Sequence, residues 1–185
     1  MSARIATYVT LLRAIGPVTH RLMRMAQWRE AAEAAGFVAP ETLGNTGNMI
    51  AEFAGTAAQA ARAMVPVLRG FGLGENVVPV VRTPGQLQRL MEADPISEAA
   101  RDRPAEIGVY FFATAKPDFS WIEDHDGPET IHIVADHLVV GFSQDVAKSG
   151  KLIRKIDKLC GLNTARNWNT TRKLAERCAA RETEA

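Results

Sequence analysis

Apolar and polar positions alternate with two different periods along this chain. Arg4–Arg13, built on Tyr8-Val-Thr-Leu-Leu12, predicts a strand. A loop covers Ala14–Met23. Met25–Ala35 changes to helical spacing, with Trp28, Ala31, Ala32 and Ala35 on one face and Arg29, Glu30 and Glu33 opposite; Gly36 stops it. Phe37–Leu43 and Met49–Phe53 predict two short strands joined by the turn sequence Gly44-Asn-Thr-Gly-Asn48. Thr56–Leu68 is an alanine-rich helix in which Pro66 should limit or kink the last turn. Gly70–Gly74 connects it to a strand over Asn76–Arg82. Thr83, Pro84 and Gln86 spell a capping box that opens a further helix, and Asp94-Pro95 closes it.

The order β-α-β-β-α-β is that of the split-βαβ, ferredoxin-like unit, whose sheet runs 4-1-3-2. Pro40 and Pro79 fall in strands two and four, the two edges of such a sheet, where a missing backbone donor is tolerated. Beyond a polar, acidic linker at residues 96–105, strands are predicted over Ile107–Ala113, Thr130–Ala135 and Leu138–Phe142, with a helical turn over Asp118–Glu123. Lys151–Cys160 and Thr164–Ala180 read as helices. The expected fold class is α+β: two ferredoxin-like halves with antiparallel sheets, residues 1–95 and 96–185. The second half is degenerate, lacks a fourth strand and is closed by two C-terminal helices.

Composition narrows the class without naming an activity. The 185 residues are 46% hydrophobic and 23% charged, as in an ordinary globular protein. No apolar run approaches the length of a transmembrane helix, and no membrane partner is expected. Cys160 and Cys178 sit among apolar neighbours in helices, as thiols of a reducing compartment do, so a cytoplasmic location is expected. The net charge is only +1, but residues 1–29 carry five arginines and no acid, residues 92–145 twelve acids against three bases, and residues 146–181 ten bases against two acids. Docking of oppositely charged faces within the protein is the commoner cause; a basic surface for an anionic partner is the sharper one.

The segments Tyr8-Val-Thr-Leu-Leu-Arg-Ala-Ile15, Met25-Ala-Gln-Trp-Arg29, Ala35-Gly-Phe37, Thr46-Gly-Asn48, Val80-Val-Arg-Thr83 and Thr164-Ala-Arg-Asn-Trp-Asn-Thr170 occur in order along nearly the whole chain. Together they resemble a bacterial family known only as domain of unknown function 1697. The resemblance implies an α+β protein built around ferredoxin-like units and implies no activity. The family typically follows Leu-Leu-Arg with Gly-Ile-Asn-Val-Gly-Gly, whereas this chain has Ala14-Ile-Gly-Pro-Val-Thr-His20.

Two places could carry a ligand. In a β-α-β-β-α-β unit the loops 14–23, 44–48 and 70–74 emerge at one end, where glycine amides can cradle an anion; Arg13, His20, Asn45, Thr46 and Asn48 would line that rim. Ordinary turns needing positive φ explain the same glycines. The second place is the last helix. Steps of about 100° per residue put Trp168, Thr171, Leu174 and Cys178 on a buried arc, with Arg166, Asn169, Lys173 and Arg177 outward. Asn167 falls inside the apolar arc and should be buried and bonded, with Trp168 a core anchor. Lys151, Arg154, Lys155 and Lys158 extend the basic stripe, which is compatible with nucleic acid or an anionic small molecule, though a solvated helix face does the same. Tyr8 is the single candidate for base stacking on strand one. The ligand-binding candidates are therefore Arg13, Asn45, Asn48, Arg166, Asn169 and Lys173. Neither a catalytic motif nor a metal-ligand spacing is present around Asp124, His125, Asp126, His132, Asp136 and His137, and no cofactor is expected. The expected function is a cytoplasmic binding module for an anionic ligand, with nucleic acid the leading candidate for that ligand; the alternatives are an enzyme on a phosphorylated or carboxylated small molecule at the glycine rim, and a structural or partner-binding protein.

Overall fold

The computed structural model describes residues 4–96, 101–142 and 146–184. The expected linker at 96–105 lies in part outside them, at 97–100. The chain forms two compact units: Met1–Leu87 with Leu174–Ala185, and Gln88–Lys173. The linker composition predicts a division between residues 95 and 96.

The first unit contains β1 (Ile5–Leu12), α1 (Pro17–Leu22), α2 (Met25–Ala34), β2 (Val38–Thr42), β3 (Asn48–Ala54), α3 (Ala57–Gly70) and β4 (Pro79–Arg82), after which α4 (Pro84–Ala93) begins. Its antiparallel sheet has the order β2-β3-β1-β4, the expected 4-1-3-2. Pro40 and Pro79 occupy the two edge strands, and the β2–β3 register shifts between Val38 and Glu41, so Pro40 sits in a bulge that needs no donor. One face of the sheet, with Tyr8, Leu12, Met49 and Ala51, meets Trp28 and Ala32 of α2 and Ala60, Met64 and Leu68 of α3. The Trp28 indole donates to Met64 Sδ at 3.2 Å. Tyr8 belongs to this core and donates its hydroxyl to Gly55 O at 2.6 Å, so strand one offers no stacking platform.

Two local expectations change. The loop 14–23 contains a short helix, α1, whose Pro17 sits in its first turn and whose Thr19 hydroxyl accepts from Gly16 N at 2.8 Å. Pro66 lies inside α3, which runs on to Gly70. That helix opens with a capping box of Thr56 and Gln59 (2.8 and 3.2 Å). The box of Thr83 and Gln86 forms as expected.

The second unit contains β5 (Ile107–Phe112), β6 (Thr130–Val134), β7 (His137–Gly141), α5 (Gly150–Cys160) and β8 (Asn163–Asn167), with α6 (Trp168–Glu184) following at once. Its sheet is also four-stranded and antiparallel, in the order β6-β7-β5-β8. The degenerate half is thus corrected: residues 163–167, expected to open the last helix, are the missing strand. They pair with β5 from Gly108↔Asn167 to Phe112↔Asn163, which satisfies backbone groups that a helix start would leave open. Gly161, at φ +81, turns the chain out of α5 into this strand. Tyr110, Phe112, Leu138, Val140 and Phe142 pack under Leu152, Ile156 and Cys160 of α5. Residues 118–123 make turns, with Ile122 N donating to Phe119 O, in place of the expected helical turn.

Candidate binding site

The strand-to-helix junction decides which way the Asn-Trp-Asn segment faces. Because 163–167 is extended, alternate side chains go to opposite faces of the sheet. Thr164 and Arg166 lie opposite Phe111 and Val109 and are buried, while Ala165 and Asn167 are exposed. Arg166, expected to point outward, is 9% exposed and donates to Thr164 Oγ1 at 2.6 Å and Ala165 O at 2.9 Å. Burial draws its pKa down to about 10, so it keeps its charge at neutral pH.

Asn167 is the reverse case. Expected inside the core, it is exposed, and its Oδ1 accepts from Thr170 N at 2.8 Å; it caps α6. Thr171 donates its hydroxyl to Asn167 O at 3.0 Å. The cap swings Trp168 and Asn169 into the first turn of α6, where both are half-buried. Trp168 is therefore no core anchor: it forms a wall of a cavity.

That cavity, of about 460 Å³, lies within the second unit. Trp168, Asn169, Arg172, Arg101 and Asp94 line it, and Met91, Ile96 and Ile107 contribute apolar surface. Arg101 Nη2 meets Asp94 Oδ2 at 2.5 Å, and Arg172 Nη2 donates to Asn169 Oδ1 at 3.4 Å. A smaller cavity of about 200 Å³ shares Ile96 and Ile107 with it and includes His132 and Val139. The volume of the larger one is that of a small-molecule site, and its lining mixes cations, an amide and an aromatic ring. Of the sequence candidates it includes Asn169. Lys173 is exposed on α6.

The other three candidates lie in the first unit. Leu12 N donates to Gly47 O at 2.8 Å and Arg13 N to Val78 O at 2.9 Å, so the end of β1, the β2–β3 turn and the segment before β4 do meet. Asn48 is 1% exposed and donates to Leu43 O and Thr46 Oγ1, both at 2.9 Å; its amide clasps the turn from inside. Asn45 is exposed at the tip, and Arg13 is half-buried.

The second unit holds two further clusters: a His125–Glu129 pair that the sequence did not signal, and the expected basic stripe of α5. His125 Nε2 lies 3.2 Å from Glu129 Oε2, with both side chains about 5% exposed or less. Burial alone would raise the Glu129 carboxyl. Hydrogen bonds from Ser149, from its own backbone and from His125, with the charge of His125, outweigh this and leave its pKa lowered. On α5, Lys151, Arg154 and Lys158 are exposed, and Lys155 Nζ stands 5.5 Å from the Trp121 ring centroid. Both thiols are buried and free, and burial drives the Cys178 pKa up to about 12, the opposite of a nucleophile's environment. Among the described residues no group of three or more His, Cys, Asp or Glu is placed to hold a metal ion.

The missed residues, Arg101 and Arg172, carry no motif. Arg172 follows from the helix once its start is known, since it stands one turn beyond Trp168 and Asn169. Arg101 had no signal beyond its charge.

Fold and site together define an α+β protein of two four-stranded antiparallel sheets with a mixed polar and aromatic cavity. The chain belongs to the family described as protein of unknown function (DUF1697), which matches residues 5–138. The segment Thr164–Thr170, which makes β8 and one wall of the cavity, lies beyond that match. Among solved structures, the chain is similar to the conserved bacterial protein SP0830 from Streptococcus pneumoniae, with a TM-score of 0.75 and 16% identity over 95% of this chain and 99% of that one. No curated protein matches. No described helix is long and apolar enough to cross a membrane.

Proposed function

We propose that this chain is a binding module for an anionic ligand, with the Trp168 cavity as its site. The observation that carries the reading is the lining: two arginines, Arg101 and Arg172, with Asn169 and Trp168, around about 460 Å³. Arginine is the side chain best suited to planar, paired recognition of phosphate or carboxylate. In the same reading, both halves are ferredoxin-like units, supported by their shared strand order, and the protein works in the cytoplasm, supported by its two free buried thiols. The glycine rim gives less support to an enzyme there, because the Asn48 amide is committed to Leu43 and Thr46.

Nucleic acid is the second reading. The exposed Lys151, Arg154 and Lys158 of α5, together with Lys155 over the Trp121 ring, favour it, since a single strand needs basic side chains and an aromatic ring.

A thermal-shift screen of nucleotides, sugar phosphates and dicarboxylates at low salt tests the proposal. A ligand at 100 times its Kd should stabilise by about 2.7 kcal/mol, and the gain should shrink at high salt and in Arg172→Ala. A flat screen at low salt overturns it. For the second reading, single-stranded RNA and DNA are titrated at several salt concentrations; absence of binding at low salt removes that reading.

A further inference from the structure

We infer that the cavity takes a nucleoside monophosphate: one flat heteroaromatic base joined through a sugar to a phosphate. This rests on the anionic-ligand reading and narrows it. Three features of the lining select this chemistry over other anions.

First, a small inorganic anion or a dicarboxylate would leave most of about 460 Å³ and its apolar surface unused. Met91, Ile96 and Ile107 offer an aliphatic surface for a ring, and Trp168 adds an aromatic one on the same cavity. Base–aromatic stacking depends on neither base identity nor charge. Trp168 is only half-buried, which leaves indole surface uncovered by the protein, and its N–H has no partner among the described residues.

Second, the polar groups are divided in kind. Arg172 and Arg101 supply positive charge for a phosphate. Asp94, already 2.5 Å from Arg101, orients that guanidinium and presents a carboxylate that can accept from a sugar hydroxyl. A cavity meant for a bare anion would be weakened by that carboxylate, whereas a sugar phosphate uses both signs. Third, Asn169 offers amide donors and an acceptor, which suit the hydrogen-bonding edge of a base.

The β8–α6 junction places Trp168, Asn169 and Arg172 together: the Asn167 cap fixes the start of the helix, and the one-turn spacing brings Arg172 beside Asn169.

The test compares four probes on the full chain by calorimetry at low salt: adenosine 5′-monophosphate, adenosine, ribose 5-phosphate and inorganic phosphate. Adenosine monophosphate should bind at least tenfold tighter than each of the other three. Trp168→Leu should weaken it tenfold or more, and Trp168→Phe, which keeps a ring, should restore most of the loss. Arg172→Ala should weaken the monophosphate tenfold while leaving adenosine unchanged. Far-ultraviolet dichroism and thermal midpoints establish that each variant is folded. If ribose 5-phosphate binds as well as the nucleotide, the base-recognition inference is overturned while the anionic reading stands. If no nucleotide binds, among the four probes or in the thermal screen, but another anion does, the same conclusion follows. If no anion binds at all, both fall. An oligonucleotide that binds tighter than the monophosphate, and does so equally well in Trp168→Leu, also overturns the inference in favour of the α5 face.

Discussion

Gly47 sits where only a glycine fits, for two independent reasons. Its φ is +84, and a Cβ built there would lie 2.8 Å from Leu12 Cβ and 2.9 Å from Ile15 Cγ1. Gly44, three residues earlier in the same turn, has φ +66 but open space around it. Gly44→Ala should therefore lose only the left-handed penalty, about 1–2 kcal/mol. Gly47→Ala adds an overpacking cost of about 1–3 kcal/mol. Urea unfolding of both variants measures the difference, and equal losses would show that Leu12 and Ile15 yield freely. Glu129 gives the pH dependence at this scale. Its folded pKa is lowered relative to the unfolded chain, so its contribution is present above the unfolded carboxylate range and is lost as pH falls through the folded value. Glu129→Gln should be less stable than the parent at pH 7, and the gap should narrow towards the lowest pH at which both stay folded. A gap of constant size across that range would mean that the carboxylate is not held in its charged form by Ser149 and His125.

At the scale of elements, the capping residue of α6 separates two accounts of one asparagine. As a cap, Asn167 should tolerate Asp, which caps equally well, whereas Ala should cost about 1 kcal/mol. A buried, bonded amide would instead suffer badly from Asp, because a carboxylate would be forced into the core. Chemical denaturation of Asn167→Asp and Asn167→Ala decides between them, and an Asp variant as unstable as the Ala variant would contradict the cap. The misreading of 163–167 has a physical cause. Asn-Thr-Ala-Arg-Asn has no apolar alternation, so a strand buried through Thr164 and Arg166 leaves no hydrophobic signature, and its pairing with β5 spans some fifty-five residues of sequence. In the first unit the signal was local: Pro40 and Pro79 marked the edges, Thr83 and Gln86 marked a cap, and the sheet order followed. The site was less legible. A helical wheel begun at Ala165 places Asn169 and Arg166 outside and Asn167 inside, whereas the strand over Asn163–Asn167 buries Arg166 and exposes Asn167. Trp168 reads as a core residue by type, and only the cap geometry turns it towards the cavity.

At the scale of the whole molecule, the uneven charge map is in part internal bookkeeping. Two of the basic residues from the positive C-terminal stretch are used inside the first unit. Arg177 Nε donates to both carboxylate oxygens of Glu41 at 2.9 Å, and Arg181, one turn on, donates to Ala39 O. Both partners belong to β2, the bulged edge strand, whose exposed backbone is the kind of edge that proteins cover with a helix or with charge. On α5, by contrast, Lys151, Arg154 and Lys158 are exposed, which is why that face and the cavity carry the ligand readings. The grouping of Leu174–Ala185 with residues 1–87 makes a strong prediction. A chain ending at Lys173 loses Leu174 and Cys178, both essentially fully buried, together with the contacts to Glu41 and Ala39. Losing the Leu174 side chain alone is worth on the order of 2–5 kcal/mol. With Trp121 and Trp168 replaced by Phe, Trp28 remains the single tryptophan of the three and reports on the core of the first unit. Its fluorescence transition should shift to lower denaturant in the shortened chain, and Leu174→Ala in the full chain should reproduce a large part of the shift. A Trp28 transition that does not move in either variant would mean that the last helix is dispensable to the unit formed by the opposite end of the sequence.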